Sequence, residues 1–149
     1  MTQIILLMSA PYLYAQRFVD KTGMYRLVLG SLAALAICSI GAGFLGLLAY
    51  SGLSQLFALA LALLLALSLN WLIATVFKIP ANHESAVITA FILFFLTIPE
   101  EQVMANWPLV AAVATAIVSK FVIAYKRQHF LNPAAFGAAA LSFTGVYTF

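Results

Sequence analysis

Charged side chains are scarce in this sequence: of 149 residues, seven are Lys or Arg and four are Asp or Glu, 7% in all. Soluble domains carry roughly 25% because their surfaces must be hydrated, so a water-soluble enzyme is excluded. Disorder is excluded too, since it needs low hydrophobicity and high charge, whereas 65% of these residues are hydrophobic and the mean hydropathy is +1.09. Cysteine is almost missing as well. With Cys38 alone no internal disulfide can form, and an iron–sulfur cluster or thiolate zinc site lacks its ligands. No metal site is assigned. No P-loop, catalytic triad or zinc-binding helix motif occurs, and a net charge of +3 is read as membrane topology and not as affinity for nucleic acid.

What is present is long apolar sequence. Residues 27–77 contain no Asp, Glu, Lys, Arg or His; since a span needs about 20 apolar residues, this stretch is two helices. The small, polar run Tyr50-Ser51-Gly52-Leu53-Ser54-Gln55 marks the turn, giving spans at 27–49 and 55–77. Small residues crowd the first (Gly30, Ala34, Ser39, Gly41, Gly43), which predicts an interior or interface helix. The Leu/Ala run of the second predicts a lipid-facing helix broken by Asn70. A third apolar run, 86–98, is short for a span and is fenced by His83-Glu84 and Pro99-Glu100-Glu101; it either begins or ends inside the protein or tilts little in a locally thinned bilayer, and short segments of this kind often mark binding sites. A fourth span is expected at 107–125, containing Lys120. A fifth begins at Asn132-Pro133 and runs apolar to Phe149, as though the chain were cut from a longer polypeptide. Residues 1–26 do not form a signal peptide, because the apolar run Ile4 to Met8 is short and Arg17, Asp20, Lys21 and Arg26 follow. They read as a cytoplasmic, interfacial arm.

In this arrangement all seven basic residues fall on one side and Glu100-Glu101 on the other. The positive-inside rule then places the N-terminus in the cytoplasm. The fold class expected is an all-α, polytopic membrane helix bundle with about five transmembrane helices, one of them short, in the cell's inner (cytoplasmic) membrane.

Two helix N-termini open to the cytoplasmic side, at Glu84-Ser85 and at Asn132-Pro133. Ser85 or Asn132 can cap them, and their free N–H groups favour an anion. Lys120 either points the same way or snorkels to the interface. Ser85 and Thr89 share a helix face, as do Asn132 and Phe136. These pairs are either interhelical hydrogen bonds or the polar contacts of a pocket for a planar ring, walled by Phe130 and Phe136. His83 and His129 could hold a haem, but they sit in loops and not mid-span.

Three blocks taken together carry a resemblance. Ser9-Ala10-Pro11-Tyr12 with Gln16-Arg17, Glu84-Ser85-Ala86-Val87-Ile88-Thr89 leading to Leu96-Thr97-Ile98-Pro99, and Ser119-Lys120 with Phe130-Leu131-Asn132-Pro133-Ala134-Ala135 resemble the N-terminal half of the RnfD/NqrB family, membrane subunits of ion-translocating flavin electron-transport complexes. The family has about ten spans in two related halves. Its C-terminal half carries FMN on the threonine of an S-G-A-T motif, and its N-terminal half is associated with a non-covalent flavin near the asparagine of the N-P-A block. This chain has the second feature, at Asn132. It departs from the first, since Ser85-Ala86-Val87-Ile88-Thr89 has no glycine and one residue too many, and it has half the family's spans.

The resemblance implies a transmembrane flavin-binding domain at 27–149, an electron-transfer component of an oxidoreductase that is not catalytic alone. It implies FMN or riboflavin, held non-covalently by Asn132, Ser85, Thr89, Lys120, Arg127, His129, Phe130 and Phe136. It also implies a cytoplasmic electron donor such as a flavin/NAD(P)H reductase domain, and a homodimer or other membrane subunits in place of the missing half. The alternative, from another class, is a cofactor-free transporter half or membrane assembly subunit.

Overall fold

The computed structural model describes residues 23–100, 103–122, 124–125, 128–129 and 132–143. Among them are five α-helices: α1 (Met24–Phe44), α2 (Gly52–Phe77), α3 (His83–Leu96), α4 (Trp107–Val122) and α5 (Pro133–Phe143). A 3-10 turn, Val103–Asn106, leads into α4. A two-residue antiparallel ladder follows α4, pairing Ala124 with His129 and Tyr125 with Gln128. Among the described residues the regular structure is thus helical but for this ladder, which replaces the last residues of the span expected at 107–125. Helices α1 and α2, with 21 and 26 residues and mean hydropathies of 2.1 and 2.4 in their most apolar stretches, are long and apolar enough to cross a membrane. The apolar helices α3 and α4 are shorter, at 14 and 16 residues. Most of the arm at 1–26 lies outside the described residues, and α1 has already begun at Met24.

The helix ends follow from local chemistry. α1 stops at Phe44, five residues before the expected Ala49, because Gly46 adopts φ 69°. The N–H groups of Leu47 and Gly46 then donate back to Ala42 O and Gly43 O at 3.0 and 3.2 Å, a Schellman ending that needs a residue without Cβ strain. α2 starts after Ser51, whose Oγ accepts from the Ser54 N–H at 3.1 Å. It ends in a second Schellman motif, with Ile79 N–H donating to Ala74 O at 2.9 Å. There the left-handed position is taken by Lys78, φ 54°, at a cost of roughly 1–2 kcal/mol for a side chain in that region, and Pro80 bars continuation. α3 ends at Leu96, where the Thr97 hydroxyl donates to Leu93 O at 2.9 Å and Pro99 forces the chain to extend. Asn106 then clasps the loop, donating to Glu100 O at 2.9 Å and accepting from Glu100 N–H at 3.3 Å.

Packing reverses one expectation. α1, expected as an interior or interface helix, is not interior to the described bundle: it buries only Ala36 and Gly43, while Leu35, Ile37, Phe44 and other large apolar side chains of α1 are exposed. α2, expected to face lipid, buries Ala58, Ala62, Ala66, Asn70 and Ala74 and packs against α1, α3 and α4. The spacing is four throughout. At 3.6 residues per turn each step of four overshoots a full turn by about 40°, so the buried stripe winds about 160° around α2 and can serve three neighbours in succession. Near its start it meets α1: the Ser39 hydroxyl donates to Gln55 Oε1 at 2.6 Å, and a Cβ on Gly43 would lie 2.9 Å from Gly52 N. Farther along it meets α3 and α4, where Ala86, Ala90, Ala112, Val113 and Ala116 are fully buried. Alanine at these contacts lets backbones approach closely.

α5 closes on α4 by the same device. A Cβ on Gly137 would stand 2.6 Å from Ala112 O and 2.9 Å from Ala116 Cβ. Gly137→Ala is therefore expected to destabilise the protein by about 1–3 kcal/mol through overpacking. Gly30→Ala, where nothing lies within 4 Å, should leave stability unchanged or raise it by about 0.5–1 kcal/mol. Thermal unfolding of the two variants in detergent checks the contrast; equal melting temperatures would remove the α4–α5 contact as drawn.

Candidate functional site

α2 and α4 bring two buried polar side chains, Asn70 and Lys120, against each other in a largely apolar interior. Lys120 continues the stripe Leu109, Ala112, Val113, Ala116 and Ile117 of α4, so helical periodicity itself turns it inward. It is 5% exposed, and Asn70 opposite it is 0% exposed. The Lys120 ammonium donates to Asn70 Oδ1 at 3.4 Å and to Asn82 O at 3.3 Å, and the Phe121 ring centroid lies 6.0 Å from it, the outer limit for a cation–π contact. One charged group thereby joins α2, α4 and the entrance to α3. Of the two readings left open by the sequence, snorkelling is not what the side chain does. Its proton donors face the protein, and two of the three are engaged.

Asn82 is also the cap of α3. Its Oδ1 accepts from Ser85 N–H at 3.0 Å, so Ser85, a candidate cap by sequence, is instead the first-turn residue being capped. The Thr89 hydroxyl donates to Ser85 O at 2.9 Å, a bond within one helix. Among the described residues neither hydroxyl bonds across to another helix. Outside this end of α3, Arg26 Nε lies 3.4 Å from Glu84 Oε1, an exposed pair of the kind that contributes about 0–1 kcal/mol.

Asn132 does cap α5, its Oδ1 accepting from Ala134 N–H at 3.1 Å. Phe136, one turn on, walls an open groove of ≈ 370 Å³ whose other lining residues are Ala114, Thr115, Val118, Ser119 and Val122 of α4. Val118 and Val122 are each two residues from Lys120, about 200° around the helix, so this groove and the buried lysine occupy different faces of α4. A second groove, ≈ 610 Å³, lies between Leu67, Ser68, Trp71 and Leu72 of α2 and His83.

The expected site residues therefore separate into two groups. Lys120 is tied through Asn82 to the end of α3 that carries Ser85 and Thr89; Asn132 and Phe136 stand together on α5. His129 enters the ladder through its backbone, and Arg127 and Phe130 lie outside the described residues. Asn82 and the role of Asn70 were not anticipated. A lone Asn within 26 apolar residues was the available signal, since a polar group there needs a partner; an Asn three residues before Ser85 was the other. Compared with known proteins, the chain matches no family model, no curated protein and no solved structure.

The cap assignment has a direct check. Asn82→Ala should cost about 1 kcal/mol, the usual loss for an N-cap, whereas Ser85→Ala should stay within about 0.5 kcal/mol. Chemical or thermal unfolding that ranks them the other way would return the cap to Ser85.

Proposed function

We propose that this chain is a membrane flavoprotein module of the RnfD/NqrB kind, which binds FMN or riboflavin non-covalently and passes electrons from a cytoplasmic donor across or into the bilayer. Five spans with a cytoplasmic N-terminus belong to this reading, as do the inner membrane, a reductase domain as donor and assembly as a homodimer or with other membrane subunits. The observation that carries it is the groove beside Phe136. An aromatic wall and a floor of small and apolar residues suit the flat, largely apolar ring of a flavin. Asn132 lies one turn before Phe136 on the same helix face; capping uses its oxygen and leaves its amide N–H donors for a ligand. The flavin supplies the redox chemistry when bound. The protein's part is to hold the ring, exclude water from it and set the local field.

The second reading, a cofactor-free assembly subunit, has its own support in α1. Ala36, Ser39 and Gly43 of α1 are used against α2, but Gly30 and Gly41 meet nothing within 4 Å among the described residues, which leaves that part of the small-residue surface open to a partner helix.

Denaturing release of whatever the purified protein carries, followed by chromatography, separates the two. The flavin reading expects a yellow preparation whose flavin leaves on denaturation, because no S-G-A-T motif is present to hold it covalently. Colourless protein that takes up neither FMN nor riboflavin ends that reading. Asn132→Ala should lower flavin affinity about three- to tenfold, the equivalent of one hydrogen bond of about 0.5–1.5 kcal/mol, with helical content retained. Asn132→Asp keeps the cap but loses the donor, so full flavin occupancy in that variant would make Asn132 purely structural.

A further inference from the structure

The buried cluster at Lys120 is short of acceptors. Lys120 brings three N–H donors and Asn70 Nδ2 two more, yet the acceptors found are Asn70 Oδ1 and Asn82 O alone. Asn70 Nδ2 is buried without a hydrogen-bond partner. The first turn of α3 begins at the residue after Asn82, and of its free N–H groups only that of Ser85 is taken by the cap, which adds the positive end of a 14-residue helix. Among the described residues no carboxylate is paired with the ammonium. Glu84, in the first turn of α3, offsets the helix dipole but is exposed and turned to Arg26, and Glu100 lies beyond the far end of α3, about 21 Å along its axis. A buried ammonium without a counter-charge is costly by several kcal/mol, and an unpaired buried amide adds to that.

We propose that Lys120, Asn70 and the N-terminus of α3 form a binding site for one small inorganic anion of the halide class. Size argues for a monatomic ligand. Lys120 and Asn70 line neither groove, and a phosphate or a flavin would have to part α2 from α4 to reach them, whereas a monatomic halide, somewhat larger than a water molecule, asks for far less room. Entry is short, because Asn82, the residue over the ammonium, is itself exposed. The anion accepts from Lys120 Nζ and Asn70 Nδ2 and neutralises the one charge that holds three helices together. The site does not depend on the flavin reading, and its test requires no flavin.

The experiment compares thermal unfolding of the purified protein in chloride and in gluconate at equal ionic strength, with chloride quadrupolar NMR line width as the direct readout of binding. At about tenfold excess over Kd, chloride should raise the melting temperature by roughly 3–6 °C and broaden the chloride resonance. Asn70→Asp supplies the missing negative charge from within. This variant should melt higher than the unmodified protein in gluconate, with its response to chloride and the line broadening lost. Lys120→Met should also lose the broadening, and Asn70→Asp covers the case in which that variant fails to fold. Unmodified protein that is indifferent to chloride in both readouts overturns the proposal, leaving the cluster closed by water. Broadening that persists in Asn70→Asp or in folded Lys120→Met overturns it as well, since the ion then sits elsewhere.

Discussion

A buried ammonium group has to be satisfied by whatever the fold brings to it, and here the fold brings three chain segments. Lys120 arrives from α4, Asn70 from α2, and the Asn82 carbonyl from the link into α3. Moving any one of these by a few ångströms leaves a buried charge with fewer partners, so the relative placement of the three helices is held by a term much steeper than apolar contact. The apolar contacts of α2, in turn, run largely through alanines, which let the backbones approach closely. Polar bonds and close packing thus divide the work of defining the bundle.

The ends of elements were largely legible in the sequence. The polar turn at 50–55, the fence of His83 and Pro99 around a short helix, and Asn132-Pro133 as a helix start are all chemical events at single residues, and each is where the structure puts a boundary. Gly46 was legible in principle, yet it sat in an apolar stretch that a hydropathy reading simply extends, and α1 ended five residues early. The inside and outside of the helices were not legible. Both α1 and α2 are apolar on every face, so amphipathic periodicity, the usual guide, carries no signal. What decides burial is the position of alanine. In α2 the buried alanines at steps of four are hidden among others at steps of two, such as Ala60.

For the candidate site the outcome is similar. Asn132 was placed correctly because Asn-Pro at a helix start has one sensible local geometry. Lys120 was left between two readings, since a lysine near the end of an apolar helix can snorkel or turn in, and only the neighbours decide. Its neighbours are 50 and 38 residues away in the chain, with nothing in the local sequence to announce them. Asn70 and Asn82 were each visible as an odd residue, but their relation to Lys120 is a property of the packed helices.

The winding stripe of α2 also has a mechanical consequence. A helix seated through small residues at steps of four behaves like a lead screw: it fits its neighbours again only after advancing four residues, about 6 Å, while turning about 40°. Intermediate positions push Leu59, Leu63 or Leu65 into clefts sized for alanine. Thermal motion along the axis is therefore detented, and any force applied at one end of α2 reaches the other as a coupled push and twist.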